Sequence, residues 1–119
     1  MTDYPLSVLN EPCDRDIPVQ GRGLDKMLAA AMGTDPRYAP KCDNWKVAGL
    51  VIDKMQSRGL YLELRSPFAP ERGLLRWHAG FTPHGVTGWN GRQDYHASAP
   101  TGPLAVARAA VLWYLEKPE

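Results

Sequence analysis

The feature that most constrains this chain is the apolar stretch at residues 103–115, Pro-Leu-Ala-Val-Ala-Arg-Ala-Ala-Val-Leu-Trp-Tyr-Leu. Alanine and leucine, both strong helix formers, dominate it, and Pro103 suits a first helical turn, where a missing N–H costs nothing. A helix with so little polar surface must be covered on more than one side. We predict a central helix, covered either by the N-terminal residues and the first helix or by a second copy in a homodimer. Its one charged residue, Arg108, either pairs with a buried carboxylate or reaches solvent past its apolar stem, and we favour the second.

Size and charge narrow the class of protein. A chain of 119 residues with 44% apolar and 23% charged side chains is expected to form one globular domain. A net charge of +1 argues against a strong electrostatic surface for duplex nucleic acid, while a local basic patch stays open. The sequence has no run of about 18 apolar residues and no signal peptide, so we expect a cytoplasmic protein without membrane contact. Cys13 and Cys42 show no zinc-binding spacing, and free thiols are favoured over a disulfide.

Two helices are predicted before the strands. In residues 24–32 an apolar face recurs at helical spacing, and Gly33 follows as a helix-ending glycine. Residues 34–41 are expected to be an extended loop, since they hold two prolines. A second helix is capped by Asp43 or Asn44 and runs to about residue 58. Its predicted buried side consists of Trp45, Ala48, Val51, Ile52 and Met55.

Three strands follow, at residues 60–65, 74–82 and 93–99, each alternating apolar and polar side chains. Their short connections predict an antiparallel meander with one packed face and one more polar face. The expected fold class is α+β, with two helices, three strands and the long apolar helix packed on the sheet. Residues 1–23 are broken by prolines and glycines and are predicted to be an extended arm outside a compact domain at 24–119.

The polar face of the predicted sheet is the candidate binding site. Its arginines, histidines and tyrosine can hold a phosphate or a carboxylate through charge-assisted hydrogen bonds and stacking. The alternative is an ordinary solvated face with cross-strand ion pairs, for example between Glu63 and Arg76. Trp89, at the tip of a glycine-rich connection, either anchors an interface or folds back on the sheet. The candidate partner-binding residues are Tyr61, Glu63, Arg65, Arg76, His78, Trp89 and His96.

Metal binding and catalysis are weaker interpretations of the same residues. His78, His96 and Asp94 are suitable metal ligands, but nothing in their spacing requires a metal. A carboxylate–histidine pair is suited to acid–base chemistry, yet no activated nucleophile accompanies it. We therefore predict no metal, no cofactor and no catalytic residue.

Three segments resemble a known family. They are Leu-Asp-Lys-Met-Leu-Ala-Ala-Ala-Met-Gly at residues 24–33, Asp-Asn-Trp at 43–45 leading into Val-Ile-Asp-Lys-Met at 51–55, and Ala-Ser-Ala-Pro-Thr-Gly-Pro-Leu-Ala-Val-Ala-Arg-Ala-Ala at 97–110. In this order they resemble the phage ABA sandwich domain, a group of small bacteriophage and prophage proteins. The resemblance spans about residues 24–115 and implies a phage origin and a compact layered α/β domain. It carries over no catalytic residue.

Three functions remain open. The favoured one is a non-enzymatic phage protein that blocks a host defence protein or protein–nucleic acid complex by stoichiometric binding, as an anti-CRISPR protein does. Its phage context comes from the resemblance alone. The second is a binder of an anionic nucleotide signal. The third is an enzyme acting on nucleotides or nucleic acid.

Overall fold

The computed structural model describes residues 17–67, 76–83 and 95–116, which form three α-helices and a three-stranded antiparallel sheet. The predicted α+β class is confirmed. Within these residues no helix combines the length and apolar character needed to cross a bilayer. In chain order the elements are α1 (Arg22–Met32), a 3-10 turn (Pro36–Tyr38), α2 (Trp45–Ser57), β1 (Leu60–Arg65), β2 (Trp77–Pro83), β3 (Tyr95–Ala99) and α3 (Gly102–Glu116).

The helix boundaries follow local sequence signals. Gly33 ends α1 in the left-handed region at φ 81°, and the following N–H, of Thr34, donates to Ala29 O over 2.9 Å. Asn44 is the cap of α2, because its side chain accepts a hydrogen bond from the Val47 N–H at 2.9 Å. The intervening segment is not extended throughout as predicted, because Asp35 caps a 3-10 turn at Pro36–Tyr38.

This connection between α1 and α2 is fastened to the first turns of α1. Arg22 donates from Nη1 to Ala39 O at 2.6 Å, and the Asp25 carboxylate accepts both the backbone N–H and the thiol of Cys42, at 3.1 and 3.0 Å. Ala39 and Cys42 are buried, whereas residues 33–38 and 43–46 are exposed. The free thiol of Cys42 matches its prediction. Burial, and then the Asp25 carboxylate, raise the pKa of this thiol to about 12.

The sheet has the order β1-β2-β3, with both pairs antiparallel. Leu62 pairs with Phe81, and Ala79 pairs with both Leu64 and Ala97. Paired residues lie on the same face of a sheet, and these residues join the hydrophobic core with the helices. The alternate residues therefore form the opposite face.

Helix α3 lies at the centre of the fold. It packs on β2 and β3 and also contacts α1 and α2, and residues 102–112 are buried throughout. Residues 102–112 of the helix are therefore covered on several sides. A single copy of the chain supplies that cover for residues 102–112, so the reason for expecting a homodimer through α3 no longer holds there. Tyr114 and Leu115, further along the helix, are exposed.

The described core includes a residue that precedes the predicted start of the compact domain at residue 24. Ile17 is 2% exposed and belongs to the core, and α1 begins at Arg22. The remainder of the predicted arm, residues 1–16, lies outside the described residues.

Arg108 does not reach solvent, contrary to the prediction. It is 3% exposed and donates hydrogen bonds to three backbone carbonyls: Pro18 O from Nε at 3.2 Å, Ser98 O from Nη1 at 2.5 Å and Ile17 O from Nη2 at 2.8 Å. The five N–H donors of a guanidinium make such a triple contact possible. Arg108 thereby joins α3 to β3 and to the N-terminal residues of the core.

Trp45 is also placed differently from the prediction, which assigned it to the buried side of α2. It is 53% exposed and contacts Trp77 edge to face, with ring centroids 5.7 Å apart. A Cβ added at Gly102 would lie 2.7 Å from Cζ2 of this indole. Trp45 therefore sits at a corner where α2, β2 and α3 meet, with one part of the ring packed and another in solvent.

Candidate functional site

Strand register places the predicted polar residues on the sheet face opposite the helices. Glu63 pairs with Gly80, and Gly80 in turn pairs with His96. The next row of paired residues, toward the end of β1, consists of Arg65, His78 and Ser98. We call this surface the polar face; its described residues are Tyr61, Glu63, Arg65, Arg76, His78, Gly80, Thr82, His96 and Ser98.

The polar face is exposed along β1 and buried along β3. Tyr61 is 40% exposed and Arg65 is also exposed, while His96 and Ser98 are buried at 8% and 1%. Glu63, Arg76 and His78 lie between these extremes. The alternative of an ordinary solvated face therefore does not hold at β3, and the surface open to a partner follows β1 and the start of β2.

The two histidines form a hydrogen-bonded pair. His78 Nδ1 and His96 Nε2 are 3.1 Å apart, the ring centroids are 5.2 Å apart and the ring planes are within 4° of parallel. A nitrogen separation this short is below the optimal contact distance of stacked rings, about 3.5 Å. The rings therefore lie edge to edge, and one N–H of the pair is shared with a lone pair of the other ring.

The environment keeps His96 uncharged. Burial lowers the pKa of His96 to about 3, and electrostatic interactions with His78 and Arg65 act in the same direction. A neutral His96 fits the hydrogen bond, because a nitrogen lone pair is needed on one side of the contact. This imidazole can neither supply a positive charge nor act as an efficient general base near neutral pH.

Arg76 is held by β3 and not by the predicted carboxylate. Its Nη1 donates to Ser98 Oγ at 3.2 Å. The ion pair predicted between Glu63 and Arg76 is wrong, because Glu63 is opposite Gly80, four residues along from Arg76. At about 3.3 Å per residue that offset is roughly 13 Å, too far for an ion pair. Ser98 was missed as a partner; the only signal for it is its position two residues after His96, on the same face.

Two predicted features lie outside the described residues. Trp89, the proposed interface anchor, and Asp94, the third candidate metal ligand, both belong to the segment between β2 and β3 that the structure does not describe. Among the residues that are described, no three His, Cys, Asp or Glu side chains are grouped for a metal ion.

Comparison of the chain with protein-family models, with curated proteins and with solved structures finds no match in any of the three. The resemblance to the phage ABA sandwich domain stays a prediction.

Proposed function

We propose that this protein acts by stoichiometric binding and that the exposed part of the polar face recognises an acidic surface on a partner protein. The observation that carries this proposal is the charge of that face. Among its described residues it has two guanidinium groups, on Arg65 and Arg76, and one carboxylate, on Glu63. Tyr61 adds a partly exposed aromatic ring at the same strand.

These side chains suit recognition because several are held in place before a partner arrives. Ser98 Oγ orients Arg76, and the hydrogen bond to His96 orients His78. A guanidinium with a restricted position loses less conformational freedom when it binds a carboxylate, and this supports affinity.

The same geometry favours binding over catalysis. His96, the best candidate for acid–base chemistry by residue type, is buried and neutral, with its pKa lowered to about 3. A general base operating near neutral pH needs a pKa close to that pH. We therefore assign His78 and His96 the role of a rigid support beneath Arg65.

The kind of partner follows from the resemblance described above. If the chain is a phage-encoded cytoplasmic protein, its partner is a host protein, and a host defence protein or protein–nucleic acid complex is the favoured target. Inhibition by occupying the partner's surface then requires no cofactor.

The test is a quantitative capture experiment with variants of the polar face. The tagged protein and its Arg65→Glu variant are incubated with bacterial lysate, and each captured protein is then purified and titrated by calorimetry. We expect one partner to bind at a 1:1 ratio, with affinity reduced at least tenfold by Arg65→Glu. Lys54→Glu, an equal charge change on an exposed position of α2, is the matched control and should leave the affinity unchanged. Equal affinity of the Arg65→Glu and wild-type proteins would overturn the proposal.

A nucleotide ligand is the second candidate, because two arginines beside a tyrosine also suit a phosphate and a base. Calorimetry against mono-, di- and cyclic nucleotides distinguishes the two. Saturable binding of a nucleotide by the isolated protein, lost in Arg65→Glu, would favour this second function over the first.

A further inference from the structure

We infer that the connection between α1 and α2 presents a second binding surface, separate from the polar face, for single-stranded nucleic acid. The surface comprises exposed aromatic and basic side chains on a segment whose backbone is fixed to α1. We call it the loop surface; its residues are Arg37, Tyr38, Lys41, Trp45 and Lys46.

The aromatic side chains are unusually open. Tyr38 is 76% exposed and Trp45 is 53% exposed. Large aromatic rings are costly to leave in water and are common at binding surfaces. Each nucleic-acid base offers a flat apolar face that can stack on such a ring.

Both rings are braced from one side. The Arg37 guanidinium lies over the Tyr38 ring, 5.6 Å from its centroid, and is itself held by the Asp35 carboxylate through Nε at 3.2 Å and Nη2 at 2.8 Å. The edge-to-face contact with Trp77 braces Trp45. Each ring therefore has a restricted orientation and keeps open surface available for stacking.

The backbone beneath these residues is equally constrained. Arg22 donates to the carbonyls of Arg37 and Ala39, and the Asn44 side chain donates to Lys41 O at 3.1 Å. On the buried side of this segment, the backbone N–H and the thiol of Cys42 donate hydrogen bonds to the Asp25 carboxylate. A loop tied at so many points keeps its outward side chains in place, so little ordering is needed on binding.

The charge of the loop surface indicates which kind of partner it binds. Lys41 and Lys46 are exposed and have no ion-pair partner among the described residues, whereas Asp43 is the one exposed carboxylate within residues 37–46. With Arg37, Lys41 and Lys46 against Asp35 and Asp43, residues 35–46 have one more cation than anion. Stacking rings flanked by lysines match the alternating bases and phosphates of a single strand, and an acidic peptide would leave the rings without flat partners.

The probe is a fluorescein-labelled 15-nucleotide oligo(dT), titrated with the full-length protein and followed by anisotropy. Because single-strand binding loses affinity with a log–log salt slope of about −0.7 per contacted phosphate, two lysine contacts predict a roughly 7-fold loss between 50 and 200 mM NaCl. Tyr38→Ala should weaken binding about 5- to 150-fold, the range for loss of one stacked base, while Tyr38→Phe should retain it.

Two controls separate stacking from simple charge attraction. Leu50→Ala removes a side chain of similar exposure, 63%, elsewhere on α2 and should leave binding unchanged. An abasic strand with the same phosphates should bind wild type at least as weakly as oligo(dT) binds Tyr38→Ala, because it can stack on neither Tyr38 nor Trp45. The inference is overturned if oligo(dT) does not bind saturably, if Tyr38→Ala binds as wild type does, or if the abasic strand or polyglutamate binds as tightly as oligo(dT).

Discussion

Arg108 Nη2 lies 2.8 Å from the carbonyl oxygen of Ile17, a residue 91 positions earlier in the chain. The same guanidinium reaches Pro18 O and Ser98 O, so one side chain of α3 joins the two ends of the described core. Carbonyl groups buried in this way need a donor, since water cannot reach them.

Replacing Arg108 with methionine should lower the free energy of unfolding by about 2–4 kcal/mol, because buried carbonyls lose their donors. Arg108→Lys should recover only part of this loss, since an ammonium group cannot reach three carbonyls in the geometry of a guanidinium. Urea denaturation followed by circular dichroism measures both values. Lys54→Met, at an exposed position, is the control, and a cost for Arg108→Met no larger than that of the control would contradict the assignment.

The pair formed by His78 and His96 predicts a loss of stability in mild acid. The pKa of His96 is lowered to about 3 in the fold, whereas an unfolded histidine has a pKa of about 6.5. The unfolded chain therefore binds this proton first, so the contribution is fully present above pH 6.5 and declines as the pH falls toward 3. The expected slope is about 1.4 kcal/mol per pH unit.

Urea denaturation at pH 7.5, 6.0 and 5.0 measures this slope in wild type and in His96→Gln, which keeps a hydrogen-bonding group but cannot titrate. The difference between the two proteins should correspond to one proton. Parallel pH curves for wild type and variant would show that His96 titrates normally in the folded protein.

Two glycine substitutions should have opposite effects on stability. Gly102→Ala places a methyl group against the Trp45 indole and should cost about 1–2 kcal/mol as the ring is displaced from Trp77. Gly49→Ala, inside α2, meets no atom within 4 Å and should add about 0.5–1 kcal/mol through helix propensity. Urea denaturation midpoints give both signs directly. In a Trp45→Ala background most of the cost of Gly102→Ala should disappear, leaving only the approach to Trp77 Cε3 at 3.1 Å. Persistence of the full cost would contradict the contact with Trp45.

Cys42 should resist alkylation while the protein is folded. Burial and the neighbouring Asp25 raise the pKa of its thiol to about 12, so almost no thiolate, the reactive form, is present at pH 8. Iodoacetamide treatment followed by peptide mass spectrometry should find Cys42 modified only after urea is added. Asp25→Asn tests the cause, and rapid labelling of Cys42 in native wild type would be inconsistent with the buried hydrogen bond.

Local patterns in the sequence predicted individual elements well. The bounds of β1 and the end of α1 at Gly33 follow from alternation and from a left-handed glycine, and the cap of α2 was predicted to be one of two adjacent side-chain acceptors, Asp43 or Asn44. Each of these signals acts within a few residues, so no tertiary information is needed to interpret it. The three-stranded antiparallel sheet was predicted for the same reason.

Long-range relationships could not be predicted in this way. The expected pairing of Glu63 with Arg76 failed because strand register depends on connections whose length alone does not determine it. The partners of Arg108 are backbone carbonyls. Every residue has a backbone carbonyl, so the sequence does not show which of them accept a hydrogen bond from Arg108. The proposed role of Tyr38 was missed for a similar reason, since only the docking of its loop on α1 shows that the ring faces outward.

The position of α3 in the chain also affects how the protein reaches its native state. The helix on which α1, α2 and the sheet pack comes after all of them in the chain, so these elements are synthesised before the surface that they enclose exists. Until α3 is available, the apolar sides of these elements are exposed to water or bound by chaperones. The native core can form only after this last described element is present.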